Sequence, residues 1–175
     1  MNKTHSKQNS AAKALRVKPQ LVLFSSDIAA LEKLKPYSEG MNYISYEVGY
    51  GPEVAGKAKL DAFWVSLMGG IELFAAAPPF PLHEARVLPT PITQVEKGFP
   101  RYGIVGVATS PTDSKSPEYN LRLITSALLK AIGEFNHSHS QDQIARVGIL
   151  PDDLALNKMD ASAAFKIIRE VYEGP

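Results

Sequence analysis

The chain has 175 residues, of which 45% are hydrophobic and 21% charged, with no cysteine and a formal net charge of +1. That charge averages two unlike parts: residues 1–20 hold Lys3, Lys7, Lys13, Arg16 and Lys18 and no acid, while the other 155 hold 14 bases against 18 acids, a net −4. The length suits one domain with a sizeable core, the missing cysteines exclude disulfides and thiolate chemistry, and no apolar run is long enough to span a membrane.

Residues 1–19 are polar, basic and without periodicity, which predicts a disordered tail; the basic, acid-poor start also fits a transit peptide, but Arg16 is its only arginine where such segments are Arg-rich. Residues 20–175 are expected to form a single domain. Leu21-Val22-Leu23-Phe24 reads as a buried strand. Ser25-Ser26-Asp27 then precedes Ile28, Leu31 and Leu34 at a spacing of three, a short helix with a natural N-cap that Pro36 should stop. Ile44, Tyr46 and Val48 alternate with polar residues as in a half-exposed strand, ending in the turn sequence Gly49-Tyr50-Gly51-Pro52.

Residues 60–67 are nearly continuous apolar sequence, as in a strand buried on both faces. Gly69-Gly70 breaks it, and residues 71–77 can form two helical turns before Pro78-Pro79. Eight of the 13 prolines lie between Pro78 and Pro117, so this stretch is expected to hold two short strands, at 85–88 and 102–108, joined by ordered loops. Ser116-Pro117 is a good helix start, and Leu121, Ile124, Leu128, Ile132 and Phe135 mark one face of a long helix. Residues 144–150 read as a buried strand. Asp160 caps a last helix whose inner face is Ala161, Ala164, Phe165, Ile168, Val171 and Tyr172. Strands alternating with helices predict a three-layer α/β/α domain with a mixed, largely parallel central sheet.

Familiar nucleophile and phosphate motifs are absent: there is no G-x-S-x-G, P-loop or H-E-x-x-H. Asn136-His137-Ser138-His139-Ser140 reads as a solvated turn after a helix rather than a metal site, because no further ligand stands nearby. His83 reads as a loop or strand-edge residue. No metal or cofactor is expected. What remains is a set of strand-to-helix turns, where open α/β sheets usually take ligands. At the first, Asp27 can cap its helix or accept a hydrogen bond from a purine amino group. At the second, Ser66 leads to Gly69-Gly70, which leave room for a ligand and expose N–H groups suited to anions. The third runs from Pro151 through Asp152 and Asp153 to Lys158.

Taken in order, these segments resemble a divergent macro domain, the module that binds ADP-ribose and related nucleotides. Leu23-Phe24-Ser25-Ser26-Asp27-Ile28 resembles the family's first strand, ending in Gly-Asp-Ile-Thr. Asp61-Ala62-Phe63-Trp64-Val65-Ser66 is similar to Asp-Ala-Ile-Val-Asn, followed by a glycine-rich loop that here is Gly69-Gly70-Ile71. Glu84-Ala85 with Thr90-Pro91 resembles Gly-Glu-Ala-x-x-Thr-Pro, and Arg101-Tyr102-Gly103-Ile104-Val105-Gly106-Val107 resembles the strand that follows. The resemblance implies that Asp27 binds the adenine amino group, that Ile28 supplies a backbone contact, and that Ser66, Gly69, Gly70 and Ile71 line the phosphate side.

The departures are equally specific. Ser66-Leu67-Met68 stands where active members carry asparagines. Asp152-Asp153 stands where a glycine-rich phosphate loop is usual, and two carboxylates would repel a diphosphate by roughly a kcal/mol. The last strand, which often brings an aromatic residue that stacks on adenine, is missing, and residues 43–51 read as an added strand or lid. The expected activity is therefore adenine-nucleotide or ADP-ribose binding without efficient hydrolysis. One alternative is an ADP-ribosyl hydrolase with a non-standard site, for which Asp152 and Asp153 are the candidate catalytic residues. Another is a protein-interaction domain that has lost the pocket. Further expectations are a cytoplasmic location, no membrane association, weak nucleic-acid contact through the basic tail alone, and a homodimer if a sheet edge is left unpaired.

Overall fold

The computed structural model describes residues 18–66, 84–106 and 116–174. Six strands, β1 (Gln20–Ser25), β2 (Ile44–Val48), β3 (Ala62–Ser66), β4 (Ala85–Pro89), β5 (Tyr102–Gly106) and β6 (Arg146–Ile149), form one sheet in the order β2-β1-β6-β3-β5-β4. All neighbours are parallel except β4, which runs antiparallel to β5. Its edge position lets β4 carry Pro89, which lacks a ladder donor.

Alternation along the buried strands feeds two cores. Leu21, Leu23, Ala62, Trp64, Ile104, Val147 and Ile149 face one side. There they meet the long helix α4 (Pro117–Ser138) and the final helix α5 (Ala161–Glu173). The other face presents Val22, Phe24 and Phe63 to Val54 and Ala55 of a short helix, α2 (Gly51–Lys57), and to its C-cap Ala58. The result is a mixed, mostly parallel sheet between two helical layers, as the alternating pattern predicts. Leu121, Ile124, Leu128 and Ile132 of α4 are each at most 2% exposed, and each such side chain contributes roughly 1.5–3 kcal/mol through burial.

The helix caps lie where the sequence places them. Asp27 Oδ1 accepts from the Ala29 and Ala30 N–H groups at the start of α1 (Ile28–Glu32). Ser116 accepts from Tyr119 N–H, and Asp160 from Ala163 N–H. Other expectations need correction. Gly49-Tyr50-Gly51-Pro52 is not only a turn, because α2 begins at Gly51 with Pro52 in its first turn, where a missing N–H costs nothing. Pro36 does not stop a continuous helix; it starts a separate 3-10 turn, Lys35–Ser38. A one-turn helix, α3 (Ile92–Val95), lies between β4 and β5, where the sequence predicts only an ordered loop joining the two strands. Residues 44–48 form an edge strand, as their alternation predicts.

Candidate functional site

Five parallel strands send their C-terminal ends to one edge of the sheet, in the order β2, β1, β6, β3, β5. Loops at that edge are the usual ligand position in open α/β sheets. Those after β2, β1 and β6 are described. Gly69, Gly70 and Ile71, named from the sequence as the phosphate side, lie outside the described residues, as do His83 and the stretch after β5.

At the end of β1, Ser25 Oγ accepts from Asp27 N–H at 3.0 Å. Asp27 Oδ1 in turn accepts from Ala29 N–H at 3.0 Å and Ala30 N–H at 3.3 Å. The carboxylate is thus a helix cap, one of the two roles its sequence context allows. Its Oδ2 takes no hydrogen bond among the described residues, so the cap leaves one acceptor for a ligand. Ile28 heads α1 but is 57% exposed, while Leu31 and Leu34 supply the buried side. Ser66 is the last residue of β3, paired with Gly106.

At the end of β6 the chain enters a 3-10 turn, Pro151–Leu154, which rests against both β1 and β3. Leu154 is 4% exposed and joins the same core as Trp64. The indole N–H of Trp64 donates to the Asp153 carbonyl at 3.3 Å. The two acids therefore part company. Asp152 is exposed, whereas burial, reinforced by the Asp152 charge, pushes the Asp153 carboxyl from 3.8 up to about 6.

Because folded Asp153 holds its proton more tightly than the unfolded chain does, its contribution favours folding at low pH. That contribution declines as pH rises from 3.8 to about 6 and is flat above. Asp153→Asn should flatten that slope and raise stability at pH 7 by roughly 1 kcal/mol, limited by the solvent that still reaches the carboxylate. Urea unfolding at pH 4.5 and pH 7 checks this. Emission of Trp64, the single tryptophan, should titrate near pH 6 in the parent and not in the variant.

Other residues singled out from the sequence have structural partners. His139 Nδ1 lies 2.9 Å from the Phe135 carbonyl, and its ring stacks on Phe135 at 3.9 Å. No group of three potential metal ligands occurs among the described residues. Asp61 clasps the opposite edge of the sheet: Oδ2 accepts from Ala145 and Arg146 N–H at 2.9 and 3.0 Å, and Oδ1 pairs with Arg101 at 3.3 Å. Two cavities are described. One of about 310 Å³ sits beside Pro19, Leu129 and Val171, away from the C-terminal strand ends, and one of about 450 Å³ runs between α4 and the start of β4, which pairs with the last residues of β5. The residue that sequence reasoning missed at the strand ends is Tyr50, 73% exposed just after β2. Its only signal was the turn sequence around it.

These features define a three-layer α/β domain whose described candidate site gathers on loops at the C-terminal edge of a mostly parallel sheet. Compared with known proteins, the chain matches no family, no curated protein and no solved structure. No helix among the described residues is long and apolar enough to cross a membrane.

Proposed function

We propose that this domain binds an adenine nucleotide, ADP-ribose or a close relative, at the C-terminal ends of β1, β6 and β3, in the manner of the macro domains its motifs resemble. The observation that carries the reading is the Asp27 carboxylate. Its Oδ1 accepts from two backbone N–H groups at the end of β1, with Oδ2 left over to accept from a base amino group. Asn caps a helix about as well as Asp, so Asp27→Asn separates the two roles. The variant should keep the parent melting temperature and bind ADP-ribose roughly tenfold more weakly, the size expected for a lost hydrogen bond to a charged group. Isothermal titration with ADP-ribose, ADP, AMP and NAD checks this. Absence of binding by any of them at millimolar concentration would overturn the reading.

Two observations favour other readings. Leu154 occupies the core beneath the β6 turn, which suits a protein-interaction domain whose pocket is filled. The Asp153 carboxyl, at about 6, lies in the range of a general acid, which suits hydrolysis of an ADP-ribose derivative. Turnover that Asp153→Asn abolishes would select the second.

A further inference from the structure

The two edges of the sheet are finished differently. Among the described residues no strand pairs with the outer side of β4 or of β2. Strand β4 carries Pro89 and Arg86, and proline and charge are the usual means of discouraging a further strand. Strand β2, Ile44-Ser45-Tyr46-Glu47-Val48, holds no proline and a single charge. That charge is matched, since Glu47 Oε2 lies 3.6 Å from Lys57 Nζ of α2.

Backbone pairing shows which groups β2 leaves open. Leu21 N–H donates to the Tyr43 carbonyl at 2.8 Å, and Gly49 N–H donates to the Ser25 carbonyl at 3.0 Å. Odd-numbered residues of β2 therefore turn their backbone towards β1, and even-numbered ones turn theirs outward. Ile44 N–H is taken by the Met41 carbonyl at 3.1 Å. The Ile44 carbonyl and both backbone groups of Tyr46 and Val48 have no partner among the described residues.

We propose that this edge pairs with the same edge of a second copy of the chain, antiparallel about a two-fold axis at Tyr46. The open groups suit that register. Tyr46 exchanges both bonds with the partner's Tyr46, and Val48 N–H donates to the partner's Ile44 carbonyl. On one face Ile44 then stands opposite Val48, which is 37% exposed in the single chain. On the other face Ser45 stands opposite Glu47. The Ser45 hydroxyl is buried with no hydrogen-bond partner, and this pairing offers it a carboxylate at a Cβ spacing of about 4.5–5.5 Å. Neighbouring registers are worse, because one sets Glu47 against Glu47 and the other leaves Val48 outside the strand pair. The strand is thus complementary to itself, which is why a second copy is the partner that fits.

Sedimentation velocity of the full chain between about 10 µM and about 1 mM tests the assignment. The contact is short, so dimers should build up across that range and dissociate on dilution. Val48→Pro removes a donor that the single chain does not use, and Val48→Lys sets a charge opposite Ile44. Each should weaken dimerisation roughly tenfold or more while keeping the melting temperature of the dilute parent. The chain has no cysteine, so disulfides report the register. A mixture of Ser45→Cys and Glu47→Cys proteins should cross-link on oxidation, and neither should do so alone. A parent that stays monomeric at about 1 mM overturns the proposal and leaves the edge to a strand of some other protein. Dimerisation unchanged in Val48→Lys, or cross-linking of Glu47→Cys with itself in preference to the mixture, also overturns it.

Discussion

Replacing Asn136 with alanine should lower the stability of this domain by about 2–4 kcal/mol, the cost of stranding two buried backbone groups. Asn136 is 5% exposed near the end of α4. Its Nδ2 donates to the Ile144 carbonyl at 2.9 Å, and its Oδ1 accepts from the Ile144 N–H at 2.7 Å. Ile144 is 1% exposed, so water cannot replace either bond in the folded state. The one side chain thereby closes the loop between α4 and β6 and sets where β6 begins. Asn136→Asp should be at least as damaging at neutral pH, since it cannot donate to the carbonyl and it buries a charge. Thermal unfolding should show a fall of roughly 5–15 °C for Asn136→Ala. A loss below about 1 kcal/mol would mean that the loop closes without this clasp.

Asn136 also shows where sequence pattern stops being informative. The apolar stripe of α4 is legible because its partners all lie on one face at helical spacing, and Leu121, Ile124, Leu128 and Ile132 are indeed buried together. A polar residue followed by two histidines and two serines reads as solvent-facing, yet α4 continues to Ser138 and Asn136 points its amide at a backbone eight residues away. Helix α2 escaped for the opposite reason. Its buried side is made of Val54 and Ala55, with Ala58 at the C-cap, too small to stand out from a segment containing Gly51, Pro52 and Gly56. The sheet order could not be read at all, because β6 enters between β1 and β3 from the far end of the chain.

The site was legible only where the relevant bonds are local. The cap at Asp27 uses the next three residues, so Ser25-Ser26-Asp27-Ile28 announces it. Asp61 belongs to the motif that resembles the macro family, but its carboxylate is bound to N–H groups 84 and 85 residues later, and its role is to pin β3 against β6. Asp152 and Asp153 look interchangeable in the sequence; only the turn resting on β1 and β3 makes one exposed and the other partly buried. Tyr50 carries no motif, and its exposure just after β2 shows only in the fold.

Gly148 is the position at which a single added methyl group should do most harm. It belongs to the run 144–150 that reads as a buried strand in the sequence, and in the sheet it sits mid-β6, paired with Val22 and Phe63 on the face covered by α2. A Cβ built there would lie 2.4 Å from Leu60 Cδ1 and 2.9 Å from two ring carbons of Phe63. Both side chains are at most 8% exposed, so neither can swing into solvent without opening the core. Gly148→Ala should therefore destabilise by about 1–3 kcal/mol although alanine is otherwise no worse than glycine in a strand, and Gly148→Val should cost more. Shortening the obstructing side chain should return part of the loss. Leu60→Ala is damaging by itself, but combined with Gly148→Ala the two should fall short of additivity by about 1 kcal/mol in a double-mutant cycle read by urea unfolding. Strict additivity, or a Gly148→Ala protein as stable as the parent, would show that Leu60 and Phe63 have room to yield and that the glycine is there for some reason other than packing.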